Sequence, residues 1–291
     1  MATIPVRSRA MKIGVMLAGV NTKFWTAAAQ TAEEAGFESV WLPEHLVFPV
    51  AMQGSPHAGE SHPPIPPQTP AFDALMSLAA IAAVTEKVRL GTNVYNIGLR
   101  HPFVTARAIA TLDVISRGRV EFGIGASWLQ EEWEVTGLDF STRGRRVDET
   151  IDICRRLWTD DVVEHHGEFF DFAPVMFNPK PVQQPQPQLL IGGDGAAAKR
   201  RAAQVGDAWL PMNHSLEQLP AALAEINEQR AAAGRDGTTT LTVSGSIESL
   251  ADVDRYRDAG VDRVCVRPFT SSREALDGIR RFGDDILTKL A

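Results

Sequence analysis

"KIGVMLAGVNTKFWTAAAQTAEEAG", residues 12–36, contains the unit from which we predict the whole fold. The apolar run "KIGVML" (12–17) has the length of a buried strand. The stretch "FWTAAAQTAEEAG" (24–36) has the pattern of an amphipathic helix that ends at Gly36, and Asn21-Thr22 supplies the polar cap expected before it. The segment therefore predicts a β-strand followed by an α-helix.

The same strand–helix unit recurs seven more times. We predict the further strands at 39–42, 88–94, 119–125, 188–193, 207–211, 239–245 and 261–268, and their helices at 72–85, 103–116, 143–158, 196–206, 216–234, 249–260 and 272–283. Strands that read as continuous apolar runs are buried on both faces, as in parallel sheets. Eight units in about 250 residues predict an α/β protein, a single-domain (β/α)₈ TIM barrel over residues 1–291. An open doubly wound sheet is disfavoured because "MLAGVNTKFW" (16–25) lacks the G-x-G-x-x-G turn.

The composition narrows the classes of function. Hydrophobic residues make up 44% of the chain, enough for a sizeable core, and the formal net charge of -7 argues against a general nucleic-acid-binding protein. No stretch approaches the roughly 20 apolar residues of a membrane-spanning helix, so we predict no membrane partner. Cys154 and Cys265 form no spaced cluster, which indicates reduced thiols and a cytoplasmic location.

The N-terminus loosely imitates a signal peptide. Arg7, Arg9 and Lys12 precede the apolar stretch "IGVMLAGV" (13–20), as a charged region precedes an apolar region in such peptides. We favour a buried first strand instead, because the alternation of elements along the chain requires one at this position.

Two segments are too long to be ordinary connections. Residues 46–71 contain "SHPPIPPQTP" (61–70), whose prolines exclude a helix or a central strand. A long loop on the catalytic side of a barrel is typical of a lid or a substrate wall, and we predict a substrate-side loop here. Residues 159–187 predict a small hairpin at "EHHGEFFDF" (164–172) and an extended insertion, which we interpret as packing material.

The carboxyl ends of barrel strands are where active sites lie, and strand two ends at Glu44 and His45. An imidazole can exchange a proton at cellular pH, so His45 is the leading candidate for a catalytic residue. A catalytic metal is disfavoured because the ends of strands one, three and seven offer no carboxylate or imidazole. The remaining histidines that we considered lack ligand spacing and are placed in loops: His57, His62, His165, His166 and His214.

Glycine-rich turns follow two neighbouring strands. The first, "FGIGAS" (122–127), ends at Ser127, whose hydroxyl and backbone N–H could bind an anion. The second, "IGGDG" (191–195), leads into a helix whose N-terminal amides attract negative charge. Lys199, Arg200 and Arg201 follow, either near that anion or on a solvated helix face. Together the two turns predict a ligand that carries a phosphate.

These features resemble the luciferase-like monooxygenase superfamily, and within it the oxidoreductases that use the deazaflavin coenzyme F420. The most specific piece is "GIGASWLQEEWEVTGLDFSTRGRRVDE" (123–149). It is supported by "LGTNV" (90–94), "NPKPVQQPQP" (178–187), "LLIGG" (189–193) and "GDAWLP" (206–211). The resemblance covers nearly the whole chain and implies a barrel enzyme, with dimers usual by analogy.

The resemblance also implies roles for particular residues. It implies that Glu44-His45 is the acid–histidine pair of the site, with His45 moving the substrate proton. It implies a cis peptide bond at Asn93–Val94, in a bulge of strand three that backs the coenzyme ring. Anion contacts are implied for Ala126, Ser127, Gly192 and Gly193.

One position departs from the family's sugar-phosphate dehydrogenases. They carry a catalytic glutamate after the strand-four glycines, where this chain has Trp128. An indole cannot donate that proton, so the departure argues against sugar-phosphate oxidation. Trp128 is predicted either to wall the cofactor pocket or to pack at a helix start. Glu131 and Glu132 follow and are expected to face solvent.

Three functions remain open on the sequence. The first is an F420-dependent oxidoreductase that transfers a hydride between the deazaflavin and a small organic substrate. The second is a monooxygenase that uses FMN and O₂, and the third is a flavin- or deazaflavin-binding protein without turnover. The two glycines at 192–193 and the modest phosphate site favour the first, and the mixed composition of loop 46–71 indicates a partly apolar substrate.

Overall fold

A computed structural model describes residues 11–57 and 59–290 of the chain. Arg7 and Arg9 lie outside the described residues. Within those ranges the chain forms eleven strands: β1 Lys12–Met16, β2 Ser39–Leu42, β3 Arg89–Thr92, β4 Tyr95–Asn96, β5 Val120–Gly125, β6 Val162–His166, β7 Asp171–Met176, β8 Gln188–Gly192, β9 Ala208–Leu210, β10 Thr240–Ser244 and β11 Arg263–Val266.

Eight of these strands close into a parallel barrel. The ring runs β1-β2-β3-β5-β8-β9-β10-β11, and β11 pairs with β1 in parallel register. Strands β2, β5 and β11 are buried along their whole length, because helices cover one face and the barrel interior covers the other. The predicted (β/α)₈ barrel is confirmed.

Helices surround the barrel. Those in the described ranges are α1 Trp25–Glu34, α2 Ala74–Ala82, α3 Pro102–Ser116, α4 Gln130–Val135, α5 Arg143–Thr159, α6 Ala196–Gln204, α7 Leu219–Ala232, α8 Leu250–Asp258 and α9 Ala275–Asp285. All eight predicted helices are present, whereas α4, six residues long, was not predicted. In the part of the chain that the structure describes, no helix is both long and apolar enough to cross a membrane.

The barrel interior is filled around one indole. Trp41 is fully buried and its Nε1 donates to the Ser39 hydroxyl at 2.8 Å. A Cβ placed on Gly91 lies 2.2 Å from Trp41 Cε3, and one placed on Gly14 lies 2.6 Å from Nε1. Strands β1 and β3 therefore need glycine at positions 14 and 91, because any side chain there would displace the Trp41 indole.

The amino-terminal end of the barrel is closed by an ionic network. Arg263, 4% exposed, donates to Glu38 at 2.8 and 2.9 Å and to Glu121 at 3.2 Å. Arg89 pairs with the other oxygen of Glu121. Burial alone raises the pKa of Glu38, but the Arg263 guanidinium, together with Ser39 and Lys12, outweighs burial and holds that pKa below its usual value. The charges at this end therefore satisfy one another.

The segment after α5 contains the predicted hairpin. Strands β6 and β7 pair in antiparallel fashion. His165 and His166 lie on β6, so their placement in a loop was wrong. His165 faces Glu149 of α5 at 3.0 Å, and that carboxylate also accepts backbone N–H groups of Phe169 and Phe170. The hairpin is thus attached to α5, as packing material would be.

Both cysteines are free and buried. Cys154 lies on α5 and Cys265 on β11. Burial raises the pKa of each thiol well above its usual value, because a thiolate is costly to desolvate. The two thiols are therefore unpaired and unreactive.

Candidate active site

The predicted site residues follow four strands that are consecutive in the ring, β2, β3, β5 and β8. His45 follows β2, and Asn93–Val94 follows β3. Ala126, Ser127 and Trp128 follow β5, and Gly192 ends β8 before Gly193. Since the carboxyl ends of parallel strands share one edge, these residues lie on one side of the same opening, which we call the barrel mouth.

The predicted kink in β3 is present. The Asn93–Val94 peptide bond is cis, as the resemblance implied. The chain then resumes as β4, which pairs with the end of β5. The Asn93 side-chain amide donates to the Ser244 hydroxyl at 3.1 Å, and Ser244 ends β10, four places away in the ring of eight. The bond therefore crosses the mouth above the barrel interior.

The side chain of Val94, in the kink after β3, packs against glycines at the ends of β5 and β8. A Cβ on Gly125 lies 2.6 Å from Val94 Cγ2, and one on Gly192 lies 2.8 Å from Val94 Cγ1. The side chain of Val94 therefore packs into the space that two glycines leave open. Two of the predicted positions, Val94 and Gly192, are in direct contact for this reason.

His45 is paired with a carboxylate that sequence analysis missed. Its Nδ1 lies 3.1 Å from Oε2 of Glu132, on α4, and the two residues are 87 positions apart. The expectation that Glu132 faces solvent was wrong, because its side chain is completely buried. Glu131 is partly buried, and its Oε2 is buried without a hydrogen-bond partner. A signal was available in α4, since buried Leu129 and Trp133 are four residues apart and place position 132 beside the buried face.

Glu132 accepts three further hydrogen bonds. Oε1 accepts from the backbone N–H of Leu46 at 2.6 Å and of Val47 at 3.3 Å. Oε2 accepts from the Ser127 hydroxyl at 3.2 Å. This residue therefore connects β2, the turn after β5 and the beginning of loop 46–71.

Glu44 has a different environment from the one that the acid–histidine resemblance implied. It is 4% exposed; one oxygen accepts from the Asn96 backbone N–H at 2.8 Å and the other from Arg100 at 2.6 Å. Among the described residues no hydrogen bond joins Glu44 to His45. The acid that pairs with His45 is Glu132, whereas Glu44 holds β4 and the turn after it in place. Residues 44 and 45 separate in this way because neighbouring residues of an extended chain point in opposite directions.

Aromatic rings flank the His45 imidazole. The Phe48 ring centroid lies 4.7 Å away, and Trp128 meets the imidazole edge-on at 5.9 Å. The His45 side chain is 15% exposed, so one part of it still reaches the mouth. Trp128 is therefore placed as a wall of the mouth beside His45.

The turn after β5 is stabilised by the side chain of Ser127. Ser127 has a φ of 61°, in the left-handed region that a residue with a side chain seldom adopts. Its hydroxyl accepts the Leu129 N–H at 3.2 Å and donates to Glu132. The hydroxyl that we expected to bind an anion therefore already has two protein partners, which leaves backbone N–H groups for that role.

The turn after β8 is more open. Gly193 has a φ of 117°, and Gly195 is the N-cap of α6 without a side-chain capping bond. A Cβ on Gly195 meets nothing within 4 Å. The approach to the first turn of α6 is therefore open, which suits an anion, although the Ala198 N–H already donates to the Gly195 oxygen at 2.9 Å. Lys199 and Arg201 pair with Glu225 and Asp148 and are not left for an anion. The prediction of a solvated helix face holds for Arg200 but is wrong for Arg201, which is buried.

Loop 46–71 crosses the mouth. The backbone oxygen of Pro56 accepts from the Asn213 amide at 2.9 Å, and Asn213 follows β9, four places from β2 in the ring. Asp194 holds that turn by accepting from the Asn213 backbone at 3.1 Å and lying 2.7 Å from His214 Nδ1. A cavity of about 390 Å³ lies within the loop, lined by Val50, Met52, Pro63, Pro64, Ile65, Pro66 and Pro67. The loop thus reaches across the mouth and contains an apolar cavity of its own.

The described residues contain no group of three or more His, Cys, Asp or Glu side chains that could hold a metal ion. The two histidines nearest to the mouth each face one carboxylate, His45 with Glu132 and His214 with Asp194. Single carboxylate–histidine pairs orient an imidazole but fall short of a metal's ligand set.

Comparison with known proteins identifies the relatives of this architecture. The model of the luciferase-like monooxygenase family matches residues 11–272. An uncharacterized protein of Mycobacterium tuberculosis is 32% identical over 270 residues, 91% of this chain and 93% of its own.

Two solved structures share the fold. The monooxygenase RslO1 from Streptomyces bottropensis superposes with a TM-score of 0.80 at 23% identity, covering 97% of this chain and all of that one. An F420-dependent secondary alcohol dehydrogenase, in complex with an F420–acetone adduct, superposes with a TM-score of 0.77 at 18% identity, covering 96% and 99%. Proteins similar to this chain thus include both a monooxygenase and an F420-dependent enzyme.

Proposed function

The chain belongs to the luciferase-like monooxygenase family, and from that premise we propose that it is an F420-dependent oxidoreductase. It transfers a hydride between the deazaflavin coenzyme and a small organic substrate. His45 is the catalytic residue that exchanges the substrate's proton.

The observation that carries this proposal is the environment of His45. One ring nitrogen is occupied by a buried carboxylate, and uncharged aromatic rings flank the imidazole. The other nitrogen is left for a ligand in the mouth. An imidazole oriented in this way can accept a proton from a substrate hydroxyl or return one to a carbonyl oxygen. Hydride transfer to or from a carbon that bears oxygen requires such a proton exchange.

The residues of the mouth fit a ring-bearing, phosphate-bearing coenzyme. Asn93–Val94 directly follows β3, which pairs with β2, the strand that precedes His45. The N-terminus of α6 has no capping side chain. We propose that Asn93, Val94 and Trp128 contact the ring. Ala126, Ser127 and Gly192 contribute backbone groups toward the phosphate, with Ser127 limited to its N–H. Gly193 shapes the turn instead, because its N–H donates to the Leu210 oxygen at 3.1 Å and its oxygen accepts from Trp209 Nε1 at 2.9 Å. When bound, F420 supplies the carbon that gives or takes the hydride.

Glu44 contributes indirectly under this proposal. Its salt bridge with Arg100 and its bond to the Asn96 backbone fix β4, directly after the kink. Arg100 also lies over the Tyr95 ring, 4.5 Å from its centroid, and burial raises the pKa of Tyr95 to about 12. The predicted catalytic acid is thus proposed as a support of the kink, and Glu132 replaces it as the partner of His45.

The second candidate is an FMN-dependent monooxygenase that uses O₂. It is favoured by the family name and by the likeness to a monooxygenase of known structure. The coenzyme decides between the two, because a deazaflavin lacks the ring nitrogen that flavins need to form their oxygen adduct. We favour F420 because the phosphate site here depends on backbone amides, with the nearby Lys199 and Arg201 already paired to acids. A protein that binds either coenzyme without turnover is the third candidate.

The substrate is proposed to be partly apolar. Phe48 and Trp128 flank His45 with uncharged rings, and loop 46–71, which begins directly after His45, contains a proline-rich cavity. A small alcohol or ketone with an alkyl or aromatic group suits such a pocket, because its oxygen can meet the imidazole while its carbon skeleton is buried.

We also propose a homodimer in the cytoplasm. Adjacent helices α2 and α3 expose apolar side chains, including Met76 at 76% and Val104 at 60%. A stripe of this kind is typical of a surface that pairs with a second copy. Free, buried thiols are consistent with a reducing compartment. Light scattering of the purified protein measures the assembly directly.

The decisive experiment identifies the coenzyme. We expect the purified protein to bind F420 in a fluorescence titration and to bind FMN more weakly, and mass spectrometry of any co-purified ligand gives an independent answer. F420 in each redox state is then screened with a panel of small alcohols and ketones. Binding of FMN alone, with flavin-dependent oxygen consumption, overturns the assignment in favour of the monooxygenase. Tight F420 binding without turnover on any panel member supports the non-catalytic alternative.

A further inference from the structure

We infer that Glu132 is a positioning residue that selects the tautomer of His45 and ties that choice to the beginning of loop 46–71. In this arrangement Nδ1 of His45 carries the proton and Nε2 presents a lone pair to the mouth. The inference rests on the proposed function only in the use made of that lone pair.

The tautomer follows from the donors around Glu132. Two backbone N–H groups and the Ser127 hydroxyl converge on its two oxygens, at 2.6, 3.3 and 3.2 Å. This pattern suits a carboxylate, which can only accept hydrogen bonds. The imidazole nitrogen that meets Oε2 at 3.1 Å must therefore be the donor. A neutral imidazole has one N–H, so placing it on Nδ1 leaves Nε2 as an acceptor.

The pair is electrostatically isolated. Within residues 11–57 and 59–290, His45 is the one ion-pair partner of Glu132, whose side chain has no exposed surface. The other side chains in ring contact with His45, Phe48 and Trp128, are uncharged. The nearby Glu44 carboxylate is neutralised by Arg100. Among the described residues, no other charged side chain bonds to the imidazole, so Glu132 sets its orientation.

The same carboxylate fixes where the loop begins. Oε1 holds the backbone N–H groups of Leu46 and Val47, the first two residues of loop 46–71. The imidazole and the loop that covers the mouth consequently share one anchor. A change in the position of Glu132 moves both, so the orientation of the imidazole and the closure of the mouth are coupled.

The test is nitrogen NMR of full-length protein with ¹⁵N-labelled histidine, measured without coenzyme. For His45, assigned by its absence in His45→Gln, we expect the wild-type signals of an Nδ1–H, Nε2-acceptor ring. Glu132→Gln is expected to reverse the tautomer, because the side-chain NH₂ donates to Nδ1 and moves the ring proton to Nε2. Glu132→Asp keeps the carboxylate and is expected to restore the wild-type pattern. Glu134→Gln, at an exposed position of the same helix, is the matched control and is expected to change nothing.

Hydrogen exchange supplies the readout for the loop. Glu132→Ala removes the acceptor, and we expect faster exchange of the Leu46 and Val47 amides than in the wild type and in Glu134→Gln. A wild-type His45 with the proton on Nε2 overturns the inference, as does an unchanged tautomer in Glu132→Gln. If Glu132→Gln does not fold, the wild-type spectrum still decides the tautomer. Failure of F420 to bind while the tautomer is as expected rejects the proposed function and leaves this inference standing.

Discussion

The two ends of the barrel both bury charged side chains, but they use them differently. At the amino-terminal end, Arg263 faces Glu38 and Glu121, and Arg89 completes the set, so every charge has an opposite partner. At the mouth, Glu132 occupies one nitrogen of His45 and leaves the other for a ligand. The ionic network at the amino-terminal end stabilises the fold, whereas His45 at the mouth keeps one ring nitrogen, Nε2, for exchange of a proton under the proposed function. Mutations at the two ends should therefore separate stability from function.

The largest effect is expected at the mouth. Replacing His45 with Ala removes the group that we propose as the proton exchanger, and we expect turnover to fall on the order of 10³-fold, within the usual range for a general base. F420 affinity should stay nearly intact, because the ring and phosphate contacts remain. Turnover with the substrate found in the screen and an F420 titration measure the two quantities. His166→Ala, on the exposed hairpin, is the control. Unchanged turnover in His45→Ala, with binding intact, would favour the non-catalytic alternative.

The next largest effect is expected at the opposite end. Arg263→Met leaves Glu38 and Glu121 without their shared cation, although Lys12 and Arg89 remain near them. Breaking a buried pair costs about 3–5 kcal/mol, and the remaining cations place this case near the lower limit, at about 3 kcal/mol. Urea unfolding measures the loss. Arg255→Met breaks an exposed pair on α8 and should cost less than about 1 kcal/mol. If Arg263→Met weakened F420 binding without lowering the free energy of unfolding, the assignment of stability to the amino-terminal end and of function to the mouth would be wrong.

A smaller effect is expected where the kink meets the glycine turns. In Gly125→Ala the new Cβ lies 2.6 Å from Val94 Cγ2, so the kink must shift. Overpacking of this kind costs about 1–3 kcal/mol. We expect F420 affinity to fall about tenfold, as an F420 titration can measure. Adding Val94→Ala removes the obstructing methyl groups and should recover part of the affinity. If Gly125→Ala lowered stability but left F420 affinity unchanged, the proposal that the kink at Asn93–Val94 contacts the coenzyme would be wrong.

The smallest effect concerns Asp194 at the turn after β8. Burial alone raises its pKa, but hydrogen bonds from Asn213, His214 and Met212 outweigh burial and hold that pKa below the usual value. A lowered carboxyl pKa stabilises the folded state above the ordinary pKa of the group, and this contribution is lost as the pH falls through the lowered value. Asp194→Asn should therefore be less stable than the wild type at neutral pH, and the difference should shrink on acidification. Urea unfolding across acidic pH, with exposed Asp277→Asn as control, tests the sign.

Much of the fold could be predicted because local patterns encode it. Apolar runs such as 39–42 and 119–125 have the length of buried strands, and each is followed by a stretch whose apolar residues recur with the period of a helix. The short helix α4 was missed because its six residues span fewer than two turns, so its periodic signal is limited to the pair Leu129 and Trp133. The kink at Asn93–Val94 was implied by the family resemblance, and nothing in the local residue pattern predicts it.

The sequence by itself determined the alternation of elements, the barrel that this alternation builds, and the position of His45 where β2 ends. Only the tertiary structure decided which acid faces His45: Glu44, the neighbour in sequence, bonds to Arg100, whereas Glu132 arrives from 87 residues away. The ionic network at the other end likewise joins Arg263 to Glu38 across 225 residues. The physical reason is that periodicity reports which face of an element is buried, whereas the partner of a buried charge depends on which strands become neighbours when the barrel closes.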